Sequence, residues 1–126
     1  MFEMGGVGPM MGQAGVFANS APEEMPWALS RYRGESRRLL TVLNDRLADR
    51  QFLVGDFSIA DIANWSWAHT HAYSGIDVDG LEHLNRWIDE VGARPAVTRG
   101  KQIPTPLDLN SPAVQQVTAD PSKMLV

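Results

Sequence analysis

The sequence predicts an all-α fold, and three observations predict it. The stretch from Pro26 to Arg50 places its apolar residues along one side at helical spacing. A second stripe of the same kind runs from about residue 80 to 92. Between them, "FSIADIANW" at residues 57–65 carries a helix-start signal, while strand-like alternation is hard to find anywhere in the chain.

The N-terminal segment is the least regular. "MGGVGPMMGQAGVF" (residues 4–17) holds five glycines and a proline, poor material for an independent helix, yet its three methionines and one phenylalanine call for burial. Residues 1–13 read as the end of a helix whose beginning is absent.

Pro26 suits the first turn of a helix, where its missing N–H costs nothing, and the spacing predicts a long amphipathic helix over residues 26–50. Leu29, Tyr32, Leu39, Leu40, Leu43 and Leu47 form its apolar side. Arg33, Glu35, Arg37, Asp45 and Arg46 lie opposite, and such mixed charge reads as a solvated face.

Gly55 and Asp56 interrupt the pattern before the third element. With Ser58 as N-cap, its hydroxyl accepts from the Asp61 N–H and the Asp61 carboxylate accepts from the Ser58 N–H, so two orphan donors are satisfied reciprocally. Phe57 before the cap and Ile62 at the fourth helical position are placed as a hydrophobic staple. From Ile62 to Ile76 there is no Asp, Glu, Lys or Arg, which predicts a buried, central helix. That run is shorter than the ~20 apolar residues of a membrane span and includes Asn64, His69, Thr70 and His71. Asp61 is therefore read as structural rather than catalytic.

Leu81, Leu84, Trp87, Ile88 and Val91 give the next helix its stripe; Gly92, Arg94 and Pro95 end it and begin a short one reaching about Lys101. Pro104, Pro106, Pro112 and Pro121, set among Ser, Asn and Gln, mark residues 102–126 as an extended tail beyond a helical domain at 1–101.

Composition narrows the function. The length, 126 residues, suits a single core. Eleven Lys and Arg against fifteen Asp and Glu leave a net charge of −4, the wrong sign for gripping phosphate backbones, so nucleic acid is not an expected partner. The absence of cysteine leaves no disulfide framework, Cys-ligated zinc site or thiol nucleophile, and fits a cytoplasmic location. The N-terminus lacks the basic region and small-residue cleavage site of a signal peptide. His69 and His71 stand two apart, off a common helix face, and predict no metal site. The glycines at 5, 6 and 8 lack the following Lys-Ser/Thr and the preceding strand of a phosphate loop.

A glycine, then an aromatic before "SIADIA", on the central helix of an all-helical domain resembles the capping box of the C-terminal domain of cytosolic glutathione transferases. "GGVGPMMGQ", "MP", "WALSRYRGESRRLLTVLNDRL", "IADIANWSW" and the "RP" at 94–95, in that order, are similar to the bacterial branch related to glutathione-dependent disulfide-bond oxidoreductases. The likeness runs from about residue 4 to 97. It implies a helical bundle packed against a thioredoxin-like domain, which in this family grips the glutathione peptide and carries the residue that activates its sulfur. The residues from Met1 onward show no pattern of such a domain, and the chain is expected to open inside the family's first long helix, with Met1 an internal methionine or a misassigned start.

The resemblance also implies site residues. Arg31 matches a position where related proteins present an arginine to a glutathione carboxylate, and a guanidinium fork suits that group. The plainer alternative is a surface pair with Glu35 one turn on. Met10, Met11, Gln13 and Phe17 fall where the family lines its electrophile or second-glutathione pocket, with interdomain packing as the alternative. Trp65 and Trp67, two apart, point to different faces; Trp65 reads as core and Trp67 stays open. No catalytic residue is expected in the chain. The expectation is the substrate-pocket half of a glutathione transferase, inactive alone and homodimeric in the full-length protein, acting on glutathione with a small hydrophobic electrophile or disulfide. The rival is a stand-alone helical interaction module with an apolar surface at Met4, Val7, Met10 and Met11.

Overall fold

A computed structural model of the chain describes residues 1–103. Glu3–Val7 form a π-helical turn that runs straight into α1, Gly8–Asn19. Then come α2 (Pro26–Arg46), α3 (Ile59–Ala68), a 3-10 turn (His71–Ser74), α4 (Glu82–Gly92) and α5 (Pro95–Gly100). Among the described residues the one β pairing is an isolated bridge between Phe52 and Gly55. The all-α expectation holds. The tail expected at 102–126 lies, from residue 104 onward, outside the described residues.

Helix α1 packs along α2, and α3 and α4 close the bundle. Leu39, Leu40, Leu43 and Leu47 from the α2 side meet Val7, Met11 and Ala14 of the N-terminal segment and Leu84, Trp87 and Val91 of α4 in one core. The glycine-rich start is thus helical through Asn19, well past residue 13, because packing against α2 supplies what its residues lack in propensity.

The cap at α3 forms as its residues dictate. Ser58 is extended; its hydroxyl accepts from the Ala60 N–H at 3.1 Å, and Asp61 Oδ2 accepts from the Ser58 N–H at 3.0 Å, completing a capping box. Asp61 Oδ1 accepts two further donors, the Leu53 N–H at 3.0 Å and Trp87 Nε1–H at 2.9 Å. The carboxylate is fully buried.

Three expectations need correction. The uncharged run from 62 to 76 is not one helix: α3 stops at Ala68, and the chain turns through the 3-10 segment to Gly75 at φ +63°. Nor is α3 covered on every side, since Ile59 is 84% and Ile62 54% exposed. The charged side of α2 is not simply solvated. Arg33 Nε donates to the Ser74 carbonyl at 2.9 Å, Arg37 donates to the Asp77 and Asp79 carbonyls at 2.7 and 2.6 Å, and Arg46 donates to the Leu53 carbonyl at 2.9 Å. The turns between helices leave backbone carbonyls without helical partners, and long arginines on α2 donate to them, at the buried residues Ser74 and Leu53 and at Asp77 and Asp79 on the surface.

Candidate functional site

Two concave surfaces hold the residues singled out by sequence. The first lies where the N-terminal segment crosses α3. It has a volume near 380 Å³ and is lined by Glu3, Met4, Gly8, Gly12, Gln13 and Trp67. Glycine shapes it: a Cβ on Gly8 would sit 3.0 Å from Trp67 Nε1 and 2.7 Å from Glu3 Oε1, and one on Gly12 3.4 Å from the Trp67 ring. Residues four apart share a helix face, so Gly8 and Gly12 together make a slot for the indole. Trp67 is half-buried there, and its N–H has no hydrogen-bond acceptor among the described residues.

The second surface, near 390 Å³, lies along α2 and is lined by Trp27, Ser30, Arg31, Gly34 and Glu35. Arg31 is exposed and forms no ion pair among the described residues. Its expected alternative partner is taken: Glu35 Oε1 and Oε2 accept from Arg38 at 2.7 and 2.8 Å. That hydrogen-bonded pairing holds the Glu35 carboxyl below the usual range, with a smaller favourable contribution from the charge of Arg31. Arg31 therefore stands as an unpaired cation beside an exposed indole.

The other predicted pocket residues are distributed between surface and core. Gln13 opens into the first hollow. Met10 is half-buried against the core, and Phe17 stacks on Tyr32 with ring centroids 5.4 Å apart, fastening α1 to α2. Met11 is 1% exposed and is a core residue within this fold, because it points from α1 into the bundle. Gln13 and Arg31 do not line a common hollow. Trp65 is core, its Nε1–H bonded to the Ile88 carbonyl at 2.9 Å, whereas Trp67 faces the first hollow. His69 Nδ1 lies 2.9 Å from the Trp65 carbonyl and His71 Nδ1 3.0 Å from the Ile76 carbonyl. Among the described residues no three His, Cys, Asp or Glu side chains cluster to hold a metal, and no helix is long and apolar enough to cross a membrane.

Residues 8–95 match the family model for the glutathione S-transferase C-terminal domain. The chain belongs to the glutathione transferase family.

Its relatives include the disulfide-bond oxidoreductases YfcG and YghU of Escherichia coli. YfcG is 40% identical over 96 residues, covering 75% of this chain and 45% of the relative. YghU is 37% identical over 110 residues, covering 80% and 38%. The chain thus spans less than half the length of these curated relatives. Among solved structures, a glutathione transferase from Burkholderia graminis with two glutathione molecules bound per subunit superposes with a TM-score of 0.78 at 40% identity, over 82% of this chain and 47% of that one. One from Pseudomonas putida with a glutathione disulfide bound per subunit gives 0.77 at 39%, over 82% and 48%. The "SIAD" stretch on which the resemblance rested is the occupied cap of α3.

Sequence reasoning missed Glu3, Gly8, Gly12 and Trp27 as surface-shaping residues of this transferase domain. For the glycines a signal existed. Two of them one helical turn apart, in a segment that must still pack, mark the close approach of a bulky group. Nothing in the sequence announced that Trp27, 78% exposed, would stand beside Arg31.

Proposed function

We propose that this chain forms the helical wall of a glutathione site in a glutathione transferase or glutathione-dependent disulfide oxidoreductase, with Arg31 as the residue that receives a glutathione carboxylate. The observation that carries this reading is the unpaired guanidinium of Arg31 on the α2 surface, left free by the Glu35–Arg38 pair. A permanently charged fork suits a carboxylate in two parallel hydrogen bonds. The relatives crystallised with glutathione or its disulfide support the choice of anion. Gln13 offers an amide at the hollow beside Trp67, Met10 and Phe17 give the α1–α2 pair an adaptable apolar edge, and Met11 backs that edge from the core.

The chemistry of this family needs a donor within hydrogen-bond reach of the glutathione sulfur. The residues proposed here bind and orient. Thiol activation belongs to the thioredoxin-like domain that the resemblance implies, and in the whole protein the proposed assembly is a cytoplasmic homodimer acting on a small hydrophobic electrophile or a disulfide. A second reading, a helical interaction module, has in its favour the exposure of Met4 (74%) and Trp27.

Titration of the purified chain with reduced and oxidised glutathione, followed by proton–nitrogen NMR, tests the assignment. Saturable shifts at the Arg31 side-chain N–H and the Gly34 amide, lost in Arg31→Ala, are the expected result. Absence of any response at Arg31 overturns it and favours the interaction module. The same preparation is expected to show no conjugation of glutathione to a standard aromatic electrophile, and a robust rate would refute that part.

A further inference from the structure

Asp79 and Gly80 make the one place in the sequence where an Asp or Asn directly precedes a glycine. They lie in the turn that leads into α4; both are exposed, and Gly80 takes a left-handed φ of +76°. The Asp79 carboxylate forms no ion pair and accepts no hydrogen bond among the described residues, and the Gly80 N–H has no acceptor there. A Cβ at Gly80 would meet nothing within 4 Å, so its amide is open to the neighbouring carboxyl and to water. One contact bears directly on that amide. The Arg37 guanidinium donates to the Asp79 carbonyl at 2.6 Å through one nitrogen and to the Asp77 carbonyl at 2.7 Å through another. Asp77 Oδ1 in turn accepts from the Asp79 N–H at 2.8 Å. A positioned cation thus sits on the carbonyl oxygen of the very peptide whose nitrogen is free.

We propose that Asp79 is a site of spontaneous succinimide formation and isomerisation to isoaspartate, with Arg37 as its built-in electrophile. The Gly80 nitrogen attacks Cγ of the protonated Asp79 carboxyl. The N–Cγ bond forms, a Cγ–O bond breaks, and water leaves, made of the carboxyl hydroxyl and the amide proton. Water then adds to the ring. Breaking the N–Cγ bond restores aspartate, whereas breaking the bond from nitrogen to the Asp79 backbone carbonyl carbon leaves the chain running through Cγ at unchanged mass. Loss of the amide proton places negative charge on the Asp79 carbonyl oxygen, and a charge-assisted hydrogen bond aimed there stabilises it. The fold therefore promotes the reaction at this step. The product adds a backbone methylene in the turn before Leu81, a buried residue whose N–H donates to the Val78 carbonyl at 3.1 Å, and so loosens the entry to α4. Its carboxylate is the group that an S-adenosylmethionine-dependent isoaspartyl methyltransferase esterifies, which gives the site a class of partner. The inference does not depend on the glutathione reading.

The full 126-residue chain, aged near neutral pH, is digested, mapped by electron-transfer fragmentation, and labelled with isoaspartyl methyltransferase and tritiated S-adenosylmethionine. Isoaspartate is expected at residue 79 ahead of every other aspartate. Arg37→Gln should slow its accumulation about tenfold, the scale of one charge-assisted hydrogen bond, with Arg37→Lys falling between. Asp79→Glu, whose longer side chain cannot close the same ring, should lose the label. In guanidinium chloride, where Arg37 no longer holds the carbonyl, the native and Arg37→Gln chains should isomerise at one rate, below that of the folded native chain. The proposal is overturned if residue 79 gains no isoaspartate or if the folded native chain reacts more slowly than the unfolded one. It is also overturned if Arg37→Gln, with an unchanged circular dichroism spectrum, matches or exceeds the native rate. Should Arg37→Gln fail to fold, the comparison of folded with unfolded native chain decides alone.

Discussion

Trp87 Nε1–H donates to Asp61 Oδ1 at 2.9 Å, joining α4 to the first turn of α3 through two fully buried side chains. The same carboxylate accepts from Leu53 and Ser58, so one acidic group closes the start of α3, the turn before it and the inner face of α4. Removing it strands two buried donors, the Leu53 N–H and Trp87 Nε1–H, and takes the acceptor from the part-buried Ser58. Asp61→Ala is expected to cost about 3–5 kcal/mol, since each buried unsatisfied group costs roughly 1–3. Trp87→Phe removes one of these bonds and is expected to cost about 1–3 kcal/mol. Denaturant unfolding followed by circular dichroism measures both, and a double-mutant cycle should return a coupling of about 0.5–3 kcal/mol for the pair.

Helix α4 has no cap from its own N-terminal residues. Asn44, near the end of α2, supplies one from across the bundle: its Oδ1 accepts from the His83 and Leu84 N–H groups at 3.1 and 3.2 Å. Asn44→Ala should cost about 0.5–2 kcal/mol, the usual worth of a cap. Amide exchange at His83 and Leu84 should accelerate. Asn44→Asp keeps the acceptor and adds a charge of the sign a helix N-terminus favours, so it should leave stability unchanged or raised.

These two residues show what could be read in advance. The capping box is a local pattern, three residues apart, and Ser58 and Asp61 announce it without tertiary information. The stripes of α2 and α4 are likewise local, and they carried the fold class. Asn44 and Trp87 act on groups 39 and 26 positions away, and no periodicity reports such a partner. The same reason hid the arginines of α2. On a helical wheel Arg33 and Arg37 look like a solvated face, and their partners, the carbonyls of Ser74, Asp77 and Asp79, become neighbours only once the bundle closes. Concave surfaces were the least legible part, because the hollow at Trp67 is made by what Gly8 and Gly12 lack.

Gly75 tests that clamp. Its φ of +63° disfavours any side chain, and a Cβ there would collide with the Arg33 guanidinium that holds the Ser74 carbonyl. Gly75→Ala is expected to cost about 1–2 kcal/mol for the left-handed backbone alone, with a further loss from displaced Arg33. If the collision contributes, Gly75→Ala should cost less in an Arg33→Ala background than in the native chain, and the same unfolding measurement decides it.

The Glu35–Arg38 pair links pH to the proposed anion site. Its hydrogen bonds lower the Glu35 pKa in the folded chain. A depressed carboxylate pKa means that the folded state gains from ionised Glu35. That gain is complete above the ordinary glutamate range and fades as pH falls through it to the lower folded value. Both side chains are well exposed, so the effect on stability is small and weakens with salt. Carbon NMR of the Glu35 carboxyl should show it titrating below its ordinary value in the native chain and moving back up in Arg38→Gln. The substitution has a second consequence. Arg31 lies one turn before Glu35, at a spacing where an i,i+4 pair forms, and already adds to lowering the Glu35 pKa. Freed from Arg38, Glu35 can turn to Arg31 and compete with an incoming carboxylate. Arg38→Gln should therefore weaken glutathione binding at Arg31 although Arg38 does not line that surface. Arg38→Gln combined with Glu35→Gln should restore it, and failure of that rescue would show that Arg31 is not the anion receptor.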